Sequence, residues 1–329
     1  MSAAPAPGFF VSEAELASSP SRQDGVSAAD EERLLLYGCS LIARSAVALG
    51  VPQAVAVTAQ SLLRRFFSRR SLARFDVRVA AAAVCWLAAK LEEVVDIDAS
   101  EDERLSLRDV LVVFHRVVHR LEAEAFGREG GATGEPASSK ESAACLPASG
   151  RKDAVSLPAS SKPKATSDAP AASATPKLPV LDPYSAPYAE FKALVVRVER
   201  HVLRALGFQT DVEAPHRCVL QYGAMALGLD ARAQQLAWNV ASDAARSRLC
   251  LLHSPGTVAA GVLFYVARRF LKQPLPARPH WWLPLGVQTA EVCAVAAQLH
   301  ALYAQPAPRF VAVGRGPEPT ALQTLQGRA

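Results

Sequence analysis

Apolar residues recur at spacings of three and four through most of the chain, the period of a helix with one face turned to a core. The clearest case follows Ser106, where Leu107, Val110, Leu111, Phe114, Val117, Val118 and Leu121 form one stripe. Arg108, Arg116, His119 and Arg120 fall on the other side. Ser106-x-x-Asp109 has the form of a capping box and predicts the start of that helix. A second stripe, Phe191, Leu194, Val195, Val198, Val202 and Leu206, ends at Gly207, a predicted helix C-cap. Glu199 stands at its edge. Helical signals continue to about Ala304, broken by Gly228, Pro255, Gly256 and the loop KQPLPARPHWWLPLG.

Two segments depart from this one-faced pattern. VAAAAVCWLAAKL (79–91) and VAAGVLFYVARRF (258–270) are apolar on all sides and align with each other. Trp86 matches Tyr265, Ala88 matches Ala267, and Lys90 matches Arg269. A helix apolar all round is one surrounded by other helices. Two such copies predict two similar helical bundles, each built about one buried helix. The first copy ends abruptly in charge, at Lys90, Glu92 and Glu93, with Leu91 between them. The helix dipole favours a lysine at a C-terminus by about 0.3–1 kcal/mol but gives the glutamates nothing.

Periodicity vanishes between 127 and 177, where Ser, Ala, Pro and Gly dominate. Such text buries too little apolar surface to offset its ordering entropy and predicts a disordered insert. Residues 1–30 read as a disordered N-terminus and 306–329 as a flexible tail. The predicted organisation is therefore helices over 31–126, the insert over 127–177, one more helix of the first bundle over 178–210, and a second bundle over 211–305.

Composition adds limits. The 329 residues are 50% hydrophobic but only 7% aromatic, which favours helices over sheets. The formal charge of +5 permits contact with nucleic acid without demanding it. Cysteines at 39, 85, 145, 218, 250 and 293 form no Cys-x-x-Cys pair, which fits a reducing compartment. The N-terminus lacks a basic region followed by a long apolar one, so no signal peptide is expected. The run Val79–Ala89 is too short for a bilayer, which takes about 20 residues, so no membrane partner is expected. No P-loop, Gly-x-Ser-x-Gly, His-Glu-x-x-His or kinase motif set is present, so neither an enzyme nor a cofactor is expected.

Other features admit two readings each. His115 and His119 stand four apart, as metal ligands can, but without a third ligand they read as a solvated face. Arg64, Arg65, Arg69, Arg70 and Arg74 could meet phosphate or RNA, contact a phosphorylated activation loop, or simply be solvated. Lys162-Pro163-Lys164 hints at nuclear import. Ser19-Pro20, Thr175-Pro176 and Ser254-Pro255 fit proline-directed phosphorylation, the first two in segments predicted to be disordered. Adjacent Trp281 and Trp282 read as core or as a partner surface.

The run LAAKLEE (87–93) resembles the heart of a first cyclin box, and VPQAVAVTAQSLLRRFF (51–67) is similar to transcription-type cyclins. The Met-Arg-Ala-Ile-Leu-like patch of cell-cycle cyclins is missing, and Arg64 stands where those commonly have Asp. RVERHVLRALGF (197–208), EAPHRCVLQY (213–222), AWNVASDAARSRLCLLHSPGTVAA (237–260) and PLPARPHWW (274–282) resemble the L-type cyclins in order. The resemblance covers about 33–126 and 178–305. The Arg/Ser-rich tail of animal L-type cyclins has no counterpart in the sequence, and the insert is longer than the family's.

The resemblance implies an all-α fold of two tandem five-helix cyclin boxes, the first interrupted by the insert. It implies a regulatory subunit of a cyclin-dependent protein kinase, acting in the nucleus in transcription and pre-mRNA splicing, with splicing or transcription factors as further partners. It implies that Lys90 and Glu199 grip the main chain at the end of the kinase C-helix, with Leu91, Glu92 and Glu93 beside them. A local surface ion pair is the alternative for Lys90 and Glu199, and plain solvation the alternative for the two glutamates. A second function class, the nucleic-acid-binding adaptor of the transcription factor IIB type, shares the double bundle. It would carry a zinc ribbon and a stronger basic face.

Overall fold

A computed structural model describes residues 9–93, 105–129, 181–271 and 280–313. Two short helices, α1 (Glu13–Ala17) and α2 (Pro20–Gln23), precede α3 (Ala28–Leu49), α4 (Gln53–Arg69), α5 (Val77–Leu91), α6 (Leu107–Glu129) and α7 (Ala186–Ala205). After a linker come α8 (His216–Leu227), α9 (Ala231–Ala245), the single turn α10 (Leu249–Leu252), α11 (Pro255–Val266) and α12 (Thr289–Ala304). A π-turn at Ala267–Leu271 extends α11, and a 3-10 turn spans Leu283–Leu285. Among the described residues no strand occurs.

The two segments apolar on all sides become the two axes. α5 touches α3, α4, α6 and α7, and Ala80, Ala81, Ala82 and Ala83 on it are wholly buried. α11 touches α8, α9, α10 and α12. Small residues let neighbours approach closely. A Cβ added at Gly261 would lie 2.4 Å from the Cβ of Val295 on α12, so only glycine fits there. Local signals set the helix ends. The Ser106 hydroxyl accepts from the Asp109 N–H while the Asp109 carboxylate accepts from the Ser106 N–H. Gly207, just past α7, has φ +58°, the left-handed conformation that ends helices.

Several charged groups lie where the sequence did not lead us to expect them. Arg64 is 2% exposed. It donates to the Arg246 carbonyl at 2.7 Å and to both Glu32 oxygens at 3.0 and 3.3 Å. Arg65 donates to the Asp211 carbonyl at 2.7 Å. Arg246 in turn reaches Ser40 at 3.1 Å, so guanidiniums tie α3 and α4 to α9. The five-arginine cluster therefore divides: Arg64 and Arg65 are internal struts, and only Arg69, Arg70 and Arg74 remain exposed.

Both ends of the described chain are ordered where composition predicted disorder. The Val11 N–H donates to the Leu251 carbonyl at 3.0 Å, and Leu72 N–H to the Ser21 hydroxyl at 3.1 Å. Ser19 is buried, caps α2 and donates to Glu31 at 2.6 Å, which removes it as an accessible phosphorylation site. Hydrogen bonds to distant parts of the chain, invisible to a composition argument, order this stretch. At the other end Phe310 packs on Tyr37 at 5.6 Å and under the Arg78 guanidinium at 4.2 Å, so residues 305–313 strap back onto the first bundle. The insert predicted at 127–177 lies outside the described residues from 130 onward, as do Lys162, Lys164 and Thr175-Pro176. α6 itself runs to Glu129.

His115 is buried rather than solvated, because α6 packs against both α3 and α5 and its covered arc widens to Val110, Leu111, Phe114, His115 and Val118. Its Nε2 lies 3.1 Å from that of His119. Among the described residues no cluster of three or more metal-ligating side chains forms. Trp282 is buried and donates to Thr289 at 3.1 Å, while half-buried Trp281 packs edge-on to it and to Tyr222. Both tryptophans thus serve the second bundle rather than a partner surface.

Burial pushes His115 down to about 4, helped by His119, and pushes His216 down to about 4 as well. The unfolded chain, with histidines near about 6.5, binds more protons than the folded one below that pH. Stability is thus fully present above about pH 6.5 and falls as pH drops toward 4. The urea midpoint should be lower at pH 5 than at pH 7, and a His115→Gln, His216→Gln variant should show a flatter profile. An unchanged wild-type midpoint would contradict this account.

Candidate protein-docking site

The last turn of α5 emerges beside the middle of α7. Lys90 and Glu199 meet there, 109 positions apart in sequence, as a direct ion pair between Nζ and Oε1. The lysine side chain is 39% exposed and the glutamate 11%. Trp86, one turn before Lys90, lies under the ammonium, whose nitrogen is 5.3 Å from the ring centroid. A cation over an aromatic face gains about 0.5–1 kcal/mol at such a site. The pair is therefore held from two sides before any partner arrives.

The flanking residues divide in role. Leu91 is 41% exposed and Val196, one turn before Glu199 on α7, is 37% exposed. Both offer apolar area beside the charges. Glu92 caps α5, and its carboxylate accepts from the Thr58 hydroxyl of α4 at 2.7 Å. Its place at a helix C-terminus is explained by this tether rather than by the dipole. Glu93 is exposed and has φ +53°, a conformation uncommon outside glycine and asparagine, and it stops the helix there. Of the five expected residues, Lys90, Leu91 and Glu199 thus form a surface patch, while Glu92 and Glu93 shape the end of α5.

An ammonium has three donors and a carboxylate about four acceptor sites, so one shared contact leaves both groups with capacity. The pair offers a donor and an acceptor side by side, a match for the C=O and N–H of a partner's main chain. Trp86, Val196 and Thr58 were missed in the sequence. Trp86 left a signal, its i, i+4 spacing from Lys90; Val196 and Thr58 left none, because their roles need the packing of α4 and α7 on α5.

No helix among the described residues is long and apolar enough to cross a membrane. No protein-family model matches the chain. It is 32% identical over 323 residues to Cyclin-L1-1 of Arabidopsis thaliana, covering 98% of this chain and 62% of that protein. It is 34% identical over 300 residues to Cyclin-L1-1 of Oryza sativa subsp. japonica, covering 89% and 55%. To human Cyclin-L1 it is 27% identical over 302 residues, covering 92% and 45%. The chain thus spans between 45% and 62% of the length of these relatives. Among solved structures, a chain of the yeast RNA Pol II CTD kinase CTDK-1 complex shares the fold, with a TM-score of 0.59 and 13% identity. That match covers 97% of this chain and 82% of the other.

Proposed function

The chain belongs to the L-type cyclins, and from that premise we propose that it is the activating subunit of a cyclin-dependent protein kinase. Its setting is the nucleus, in RNA polymerase II transcription and pre-mRNA splicing, with factors of those processes as further partners. The observation that carries the reading is the Lys90–Glu199 pair, its lysine half-exposed at the surface, with Leu91 and Val196 beside it. Such a patch can hold the main chain at one end of the kinase C-helix. A kinase needs that helix in place so that its glutamate can pair with the lysine that holds ATP. The cyclin does no chemistry; ATP and magnesium belong to the partner. It acts by binding the active arrangement better than the inactive one.

The test is affinity purification of the tagged full chain from its own cells, followed by mass spectrometry and a kinase assay on an RNA polymerase II tail peptide and an Arg/Ser-repeat peptide. A protein kinase is expected to co-purify and to phosphorylate both. Recovery of no kinase would overturn the reading.

A further inference from the structure

Arg197, Arg200 and Arg204 recur on α7 at spacings of three and four, which places them on one stripe. All three are exposed. The buried face of α7 carries Phe191, Val195, Val198 and Val202. At about 100° per residue the stripe lies roughly opposite that face and about 100–160° round the helix from Glu199. Arg70, exposed at the end of α4, joins from the neighbouring helix. Phe75 stacks edge-on against Phe66 at 5.1 Å and against His201 at 5.4 Å, which brings the end of α4 to α7.

His201 reports the result. Burial lowers its pKa first, and the charges of Arg204, Arg70, Arg200 and Arg197 then lower it further, so the four guanidiniums share one field. Among the described residues no ion pair holds Arg70, Arg200 or Arg204. Glu190 stands on the same face but about 10 Å toward the N-terminus.

We propose that Arg70, Arg200 and Arg204 form a docking site for phosphorylated serine or threonine segments of the kinase's protein substrates. Guanidinium forks take phosphate oxygens in pairs, and a phosphoserine brings about −1.5 to −2 of charge. The stripe is about 10 Å long, room for one or two phosphate groups rather than a nucleic-acid track. Arg204 lies about 140° round α7 from Glu199 and Arg70 sits at the end of α4, so a kinase seated on the Lys90–Glu199 edge leaves them open. A substrate held there stays at high local concentration beside the active kinase. The proposal rests on the kinase-subunit reading, and it makes the complex favour substrates that already carry a phosphate.

Fluorescence anisotropy on the isolated full chain tests it, with a degenerate phosphoserine-proline peptide pool, its unphosphorylated twin and oligo(U) RNA as probes. The phosphorylated pool should bind at least tenfold more tightly than its twin. An Arg70→Glu, Arg200→Glu, Arg204→Glu variant, with an unchanged melt, should lose that difference and still co-purify the kinase. Tighter binding of oligo(U) than of the phosphorylated pool, or a preference that survives in the variant, would overturn the proposal. Loss of the kinase from the variant would overturn it too, by assigning the cluster to the kinase interface. Failure of the kinase-subunit reading shows separately, as a wild-type chain that recovers no kinase.

Discussion

A chain carrying Lys90→Ala and Glu199→Ala together is expected to bind the proposed kinase partner at least a hundredfold more weakly while keeping its fold. Each charged group hydrogen-bonded to backbone in a desolvated interface contributes about 1.5–3 kcal/mol. Two such groups amount to about 3–6 kcal/mol, and every 1.4 kcal/mol or so is tenfold in affinity. The double change is the informative one. Lys90→Ala alone strands Glu199, whose side chain is only 11% exposed, without its cation, and so costs folding stability as well. Interferometry with the co-purified kinase, beside thermal melts of both single variants and the double, separates the two effects. Unchanged affinity in the double variant would remove the pair from the interface. The pair does not act alone: shifting a kinase from about 1% to about 99% active takes about 5.5 kcal/mol of differential binding. Leu91 and Val196 supply apolar area for the rest.

Arg64→Met is expected to lower the stability of the whole chain by about 2–3 kcal/mol, because it leaves a carbonyl at the junction without its donor and a half-buried carboxylate without its cation. Methionine replaces the stem of the side chain but none of its hydrogen bonds. Glu32 loses its cation, and the carbonyl of Arg246 loses its donor across the junction. Arg64→Lys should fall between the two, since one point charge cannot satisfy a carboxylate and a carbonyl in the fork geometry of arginine. Denaturant midpoints of the three proteins measure this. A loss below about 1 kcal/mol, the range of an ordinary surface ion pair, would refute the strut role.

The parts of the fold that depend on local pattern could be read in advance. The two axial helices, the stripe of α6 with its Ser106 cap and the end of α7 at Gly207 all follow from neighbours within a few residues. The Lys90–Glu199 patch was accessible only through family resemblance, since nothing in the spacing joins positions so far apart. Burial of Arg64 was illegible for the same reason: its carbonyl acceptor lies 182 positions away, and a buried arginine looks like an exposed one until that partner is known. His115 was misjudged because a helix covered by two neighbours buries a wider arc than a single stripe. The order of residues 9–30 escaped because it rests on hydrogen bonds to Leu251, Leu72 and Glu31 and on a few buried side chains, Val11 and Val26, that composition does not reveal.

The strap that seats Phe310 adds a further join between the halves of the molecule to the linker before α8 and the guanidinium crossings at Arg64 and Arg246. A body fastened at several points has no free hinge. Rotation of one half against the other would have to pull an aromatic ring from beneath Arg78 and break the guanidinium crossing at Arg64. The molecule should therefore behave as a stiff bracket: when a flexible partner settles against it, the partner does the bending, and little of the contact energy is dissipated in deforming the two bundles.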